Sequence, residues 1–309
     1  MIITLTVNPA ADQTLWVDRV NPGSVHRVND SQIDPAGKGI NVSRMARRLG
    51  WPTIAFGFLA GDTGNIVEKA LYAESVQHHF VRVPGQTRLN VTVVDGTGTA
   101  TSFFGPGPAV PPEGLAALES LLYFWLHAGR ILVIAGSLPP EVPEAAYAAY
   151  VRAARRQGVK VFLDADGPAM REGVAAGPDL IKPNVEEAER LLQRRLPTDA
   201  AVVQAARERV NRGVGAVVIS MGARGAICVA AQRAWRVRPP VVERRSTVGA
   251  GDSMVAGLAV ALARGDDLVA ALKLGAAAGA ATAASTGTGL GTADAVEALL
   301  PQVEIEDLA

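Results

Sequence analysis

Residues 246–257 read STVGAGDSMVAG, with three small residues and then an acid placed ahead of an apolar helical pattern. The start of a helix presents unpaired backbone N–H groups and a partial positive charge, and glycines let an anion come close to them. Gly249, Ala250 and Gly251 could therefore cradle a phosphate. Asp252 would repel that phosphate unless it had a task of its own. The natural task is to accept the proton of a hydroxyl that attacks phosphorus. An acid that simply caps its own helix is the competing reading.

Further stretches carry chemistry of the same kind. In IKPNVEEAE (181–189), Asn184 and Glu187 share one face of a first helical turn. Two oxygen donors there suit Mg²⁺, and the same spacing also suits a capping box; local sequence does not separate the two. In DPAGKGINVSRMARRLG (34–50), Gly37 and Gly39 flank Lys38, and Asn41 follows in the first turn of a helix. The spacing is not that of a Walker A motif. It suits either a pocket for hydroxyls or phosphate, or a tight turn with a solvated lysine. NPAAD (8–12) puts Asp12 at the carboxyl end of the first strand, where open α/β sheets bind ligands. Ser137, in GSLPP, ends another strand in the same way. Arg88 and Asn90, in TRLN, and Arg27 could hold a phosphate or lie free on the surface. SMGARGA (220–226) gathers Ser220, Gly222, Arg224 and Gly225 into a turn that fits either nucleotide phosphates or a plain hairpin. GTGLG (287–291) is a glycine-rich helix terminator with no strand before it.

The elements that must position these residues are read from hydrophobic periodicity. Short apolar runs at 2–7, 53–60, 131–136, 159–165, 179–183 and 216–222 alternate with helical patterns such as 39–50, 64–74, 142–157 and 199–212. Runs apolar on both faces suit strands covered on both sides, and the alternation predicts an α/β fold with a mostly parallel sheet and right-handed crossovers. Residues 12–35 and 86–104 instead alternate polar and apolar positions around Asn-Pro-Gly and Asp-Gly turns. They predict a small second sheet, serving as a lid or a dimer surface. The last third, at 249–264, 267–284 and 292–300, is helical.

Composition excludes other classes. Thirty Lys plus Arg balance thirty Asp plus Glu, and no basic run is present, which argues against nucleic acid as a partner. The one cysteine, Cys228, lies in apolar AICVAA and reads as a buried small hydrophobe. The four histidines lack metal spacing. No stretch is long and apolar enough for a membrane span, and the N-terminus reads as a strand rather than a signal peptide. A soluble, cytoplasmic protein is expected. No GxGxxG follows the first strand, which weighs against a Rossmann-type oxidoreductase.

Taken in order, NPAAD, AGKGINVSR, TRLN, AGSLPP, IKPNVEE, SMGARGA and STVGAGDSMVAG resemble the motifs of the PfkB (ribokinase-like) carbohydrate kinases across nearly the whole chain. The resemblance implies one three-layer domain over 1–309 with lid segments near 12–35 and 86–104, ATP as co-substrate, and Mg²⁺. It implies Asp252 as catalytic base beside an anion hole at Gly249, Ala250 and Gly251, with Asn184 and Glu187 toward the metal. Asp12, Gly37, Gly39, Asn41, Asn90 and Ser137 are expected on the sugar. Lys38, Arg88 and Arg27 are expected on its existing phosphate, and Ser220, Gly222, Arg224 and Gly225 on the nucleotide. The GKGIN and TRLN forms are similar to those of the branch acting on sugar phosphates. They favour fructose 1-phosphate as acceptor, with tagatose 6-phosphate and fructose 6-phosphate as alternatives. A homodimer through the lid strands and a reaction excluded from a non-catalytic sugar-binding regulator by the presence of Asp252 complete the expectation.

Overall fold

The computed structural model describes residues 1–246 and 248–308; Thr247, inside the STVGAGD stretch, and Ala309 lie outside the described residues. The strands are β1 Ile2–Thr6, β2 Ala10–Trp16, β3 Asp30–Ala36, β4 Thr53–Leu59, β5 Gln77–Arg82, β6 Arg88–Val94, β7 Ala100–Phe103, β8 Ile131–Ala135, β9 Lys160–Asp164, β10 Leu180–Ile181, β11 Ala216–Ser220, β12 Ala226–Ala230, β13 Arg233–Arg238 and β14 Glu304–Asp307. The helices are α1 Lys38–Arg48, α2 Gly61–Ala73, α3 Pro112–Trp125, α4 Ala146–Arg156, α5 Gly167–Ala175, α6 Val185–Leu192, α7 Asp199–Val210, α8 Ala250–Arg264, α9 Leu268–Ala283 and α10 Ala293–Leu299.

The main sheet runs β14-β13-β12-β11-β10-β9-β8-β1-β4-β5. From β11 to β5 every neighbouring pair is parallel, and β12, β13 and β14 extend the sheet antiparallel. Successive strand residues point to opposite faces. Ile3, Leu5, Leu132, Ile134, Val161 and Leu163 join one core with α3 to α7. Their neighbours Ile2, Ile131, Val133 and Phe162 join another with α1, α8, α9 and α10. The outcome is the predicted three-layer sandwich. Helices α8 and α9 pack closely because glycines meet at the crossing: a Cβ on Gly257 would stand 2.7 Å from Gly275 Cα. Among the described residues, no helix is long and apolar enough to cross a membrane.

The second sheet runs β3-β2-β6-β7 and matches both predicted lid segments. Strand register fixes its two faces. Asp12 faces Asp34 and Asn90 on one side, whereas Gln13 faces Ile33 and Val91, and Val91 faces Phe103, on the other. The antiparallel extension β12 to β14 escapes the sequence reading. The link between β12 and β13 is only two residues and puts Ala231 at φ 49°, without the Asn-Gly signature usual for so tight a turn.

Candidate functional site

Because β1, β8, β9, β10 and β11 are parallel, their carboxyl ends lie along one edge of the sheet. That edge delivers Asn8, Ser137, Asp164, Lys182 and Ser220. Helix α8 points its N-terminus there. Its N-cap, Gly249, takes φ 74°, a left-handed conformation that glycine adopts without strain. The first intrahelical bond runs from Ser253 N–H to the Gly249 carbonyl, so the N–H groups of Ala250, Gly251 and Asp252 come before the ladder.

Asp252 is 8% exposed. Asn41 Nδ2 donates to its Oδ2 at 2.8 Å. Asn41 is itself oriented from behind, since Arg44 Nη1 donates to Asn41 Oδ1 at 3.4 Å and to the Pro35 carbonyl at 2.9 Å. Arg44 in turn grips Glu74. Burial, and then the charge of Asp164, push the Asp252 carboxyl up to about 6, against the pull of Lys38, Asn41 and Lys182.

Two lysines flank this acid. Lys38 Nζ lies 3.0 Å from Asp164 Oδ1 and 3.2 Å from Glu187 Oε1. Lys182 Nζ lies 3.1 Å from Asp164 Oδ2. Burial alone would lower the Lys38 pKa, but Asp164, Glu187 and Asp252 outweigh it and hold the ammonium charged. Burial likewise opposes ionisation of Asp164, and Lys182 and Lys38 reverse that, holding its carboxyl below the usual range. A Cβ on Gly251 would stand 3.2 Å from Lys182 Nζ, so glycine there leaves the ammonium against the start of α8. Asp164 belongs to no chemical motif singled out in the sequence, and Lys182 lies in the quoted IKPNVEEAE without being assigned a role there. Their signal was positional only: each sits at the end of a buried strand, where a charge needs a partner.

Asp12, expected at the carboxyl end of the first strand, instead lies within β2 of the second sheet, beside Asn90 on β6, and Asn90 Nδ2 donates to its Oδ1 at 2.7 Å. Arg88 Nη2 donates to the Asn8 carbonyl at 3.0 Å, and Asn8 Nδ2 donates to Ser137 Oγ at 3.2 Å. Burial raises the Asp12 pKa against the pull of Asn90 and Arg88. Asn8 Oδ1, Arg88 Nε and Asn90 Oδ1 are buried and have no hydrogen-bond partner in the protein. Such a cluster of unmet polar groups is unusual in a folded interior and marks a place built for a polar ligand. Asn8 was quoted only as part of NPAAD, and it proves to be the hub of this cluster.

The remaining predicted residues are distributed as follows. Gly37 and Gly39 let α1 press onto β1: a Cβ on Gly39 would stand 2.4 Å from Thr6 Oγ1, and one on Gly37 2.8 Å from Thr6 Cγ2. Lys38 faces the carboxylates of Asp164 and Glu187, near Asp252. Arg27 is exposed in the loop between β2 and β3, away from these groups within the chain. Ser220 ends β11 and bridges to Asn184. Gly222 and Gly225 bound a single 3₁₀ turn, which links the antiparallel pair β11 and β12, so a hairpin is what forms there. Arg224 is drawn toward Asp199 at 3.7 Å and so lies at the start of α7. The loop at 287–291 reaches the lid: Thr288 Oγ1 donates to Asp34 Oδ2.

Asn184 and Glu187 form the capping box. Asn184 N–H donates to Glu187 Oε2 at 2.8 Å, and Glu187 N–H donates to Asn184 Oδ1 at 2.7 Å. The other Glu187 oxygen pairs with Lys38. Among the described residues no group of three or more His, Cys, Asp or Glu could hold a metal ion. The cap and the neighbouring ammonium each use one lone pair of a Glu187 oxygen, which leaves the others open to a hydrated Mg²⁺.

Comparison with known proteins agrees with this geometry. The profile of the pfkB family carbohydrate kinases matches residues 4–295. The 1-phosphofructokinase of Rhodobacter capsulatus is 37% identical over 309 residues, covering 99% of this chain and 98% of its own. The crystal structure of Escherichia coli phosphofructokinase-2 in complex with substrates and products superposes with a TM-score of 0.93 at 34% identity, covering 97% of this chain and 98% of that one. Ribokinase from Thermotoga maritima shares the fold with a TM-score of 0.80 at 22% identity, covering 97% and 99% of the two chains.

Proposed function

The chain belongs to the pfkB family of carbohydrate kinases, and from that premise we propose that it transfers the γ-phosphoryl group of ATP to the C6 hydroxyl of D-fructose 1-phosphate. The single observation that carries the chemistry is Asp252: a buried carboxyl of pKa about 6, held by Asn41 at the first turn of α8. Such a group is ionised at neutral pH and basic enough to take a hydroxyl proton as the bond forms.

In this reading the C6 oxygen attacks the γ-phosphorus, the bond from phosphorus to the leaving ADP oxygen breaks, and the hydroxyl proton passes to Asp252. The products are ADP, fructose 1,6-bisphosphate and a proton. The N–H groups of Ala250 and Gly251, with the Lys182 ammonium beside Gly251, lie where negative charge develops on the transferred group. Lys38 balances the carboxylates of Asp164 and Glu187, so that Asp252 alone acts as base. Asp12 and Asn90 hold sugar hydroxyls, and Arg88, assisted by Asn8 and Ser137, holds the 1-phosphate. The turn at 220–225 receives the nucleotide. Asn184 and Glu187 would face the Mg²⁺ that accompanies ATP, which would neutralise charge on the phosphates.

The lid face opposite Asp12 and Asn90 is apolar, and on it Ile33 is 44%, Leu89 42% and Phe103 62% exposed. That face supports a homodimer joined through the lids, which would also bring Arg27 toward a neighbouring site. The residues 1–309 act as one unit in this scheme, in the cytoplasm, where ATP and sugar phosphates are held.

The deciding experiment compares kcat/KM for fructose 1-phosphate, fructose 6-phosphate, tagatose 6-phosphate and unphosphorylated sugars with Mg-ATP. Fructose 1-phosphate should lead by at least ~10²-fold over the unphosphorylated sugars, because an unfilled phosphate site leaves buried polar groups unpaired. Equal rates on a plain sugar would overturn the acceptor assignment.

A further inference from the structure

A cavity of about 640 Å³ opens between α5, α6 and the end of α7. Five arginines line it: Arg171, Arg190, Arg194, Arg209 and Arg212. Its three carboxylates are all engaged already. Asp166 accepts from Arg190 Nη2 at 2.7 Å, Glu208 from Arg194 Nη2 at 2.9 Å, and Glu187 from Lys38 at 3.2 Å. Among the described residues, Arg171, Arg209 and Arg212 have no carboxylate of their own in hydrogen-bond contact. Arg209 Nε is buried with no hydrogen-bond partner. Burial lowers the Arg209 pKa, and the charges of Arg212 and Arg194 lower it further, more than Glu208 restores it.

The guanidiniums around this concavity outnumber its carboxylates, five against three, and such a surplus of positive charge attracts an anion. Cations at the end of α7 complement its dipole, but that accounts for neither the cavity nor Arg171, which comes from a different helix. The volume suits a small organic ligand, and guanidinium forks match phosphate oxygens. We propose that this cavity is a second binding site, separate from the cleft of Asp252, for a small phosphorylated anion held by Arg171, Arg209 and Arg212. Two links join it to the catalytic groups. Glu187 lines the cavity and also pairs with Lys38, and Asp166 follows Asp164 by two positions. The site itself does not depend on the kinase reading.

The test is calorimetric titration of the full chain with inorganic pyrophosphate. Arg171 and Arg212 are exposed and make no ion pair, so the Arg171→Gln/Arg212→Gln double variant keeps the fold. Affinity should fall at least ~10-fold in that variant, as the loss of charged hydrogen bonds predicts, and should persist in Arg88→Ala, which alters the catalytic cleft. An unchanged isotherm in the double variant, binding lost in Arg88→Ala, or no binding at millimolar pyrophosphate would each overturn the proposal. Competition in the Arg88→Ala background by fructose 1,6-bisphosphate or by ADP then separates a sugar phosphate from a nucleotide as occupant. Displacement by either that is lost in the Arg171→Gln/Arg212→Gln variant upholds the site; displacement that survives in that variant, or displacement by neither at millimolar concentration, overturns it.

Discussion

Asn41 on α1 donates a 2.8 Å hydrogen bond to Asp252 on α8, across a separation of 211 positions in the chain. Arg44 accounts for the direction of that bond, because it occupies Asn41 Oδ1 and leaves only the amide to face the carboxylate. The bond stabilises ionised Asp252, and burial opposes it.

The pH dependence follows. Asp252 must be deprotonated to act as base, so kcat/KM should rise with pH and level off above about 6. Asn41→Ala removes a group that lowers this pKa and should move the acid limb toward higher pH. An unmoved limb, read from kcat/KM between pH 5 and 8, would show that Asp252 is not the titrating group.

Replacing the acid separates activity from stability. Asp252→Asn should cut kcat by at least ~10²-fold with KM little changed. Because the folded carboxyl has a pKa of about 6 against an ordinary 3.8, the native state binds the proton more tightly than the unfolded chain. The stability from this group is fully present below pH 3.8 and is lost as pH rises through about 6. At pH 8 the Asn variant should therefore melt higher than the parent, with a gain of up to ~3 kcal/mol, shrinking as the pH falls. Thermal melts across that range check both sign and trend.

Arg88→Ala should act on the acceptor alone. Arg88 meets Asn8 and Gly105 at the lid base, apart from the groups around Asp252. KM for the sugar phosphate should rise by ~10- to 10²-fold, the loss of one or two charged hydrogen bonds, while KM for ATP stays put. A rise in the ATP value instead would remove Arg88 from the acceptor site.

Two substitutions probe the scaffold. Arg44→Met leaves Glu74 only its longer pair with Arg48 at 3.7 Å and strands the Pro35 carbonyl and Asn41 Oδ1, and should cost about 2–3 kcal/mol and lower kcat. Gly257→Ala drives a methyl into the backbone of α9 and should cost ~1–3 kcal/mol without altering the acid limb. Denaturant midpoints and pH profiles of both variants distinguish positioning from packing.

Much of this site was legible because helix starts and strand ends announce themselves locally. Asp252 and Asn41 sit at such points, and so does the Asn184–Glu187 cap, whereas Asp12 lies inside β2, because the chain re-enters a strand directly after β1. Asp164, Lys182, Arg44 and Glu74 were not legible. Each is an ordinary charged residue whose meaning arises only when a distant part of the chain supplies its counter-charge. The same limit hid β12 to β14, where pairing with a neighbour, rather than any turn signature, makes the strand.

The second sheet is made of two outward excursions of one chain, 10–36 and 88–103, that both begin and end on the body of the protein. It is therefore not a cassette that can be excised or grafted onto another scaffold, since cutting at its roots severs the route from β1 to α1. Insertions can accumulate at its tips, near Asn21 and Asp95, where the backbone turns in solvent. At the roots, Gly37 packs within reach of Thr6 and Arg88 bonds the Asn8 carbonyl, so drift in this sheet should lengthen its fingertips while leaving its knuckles untouched.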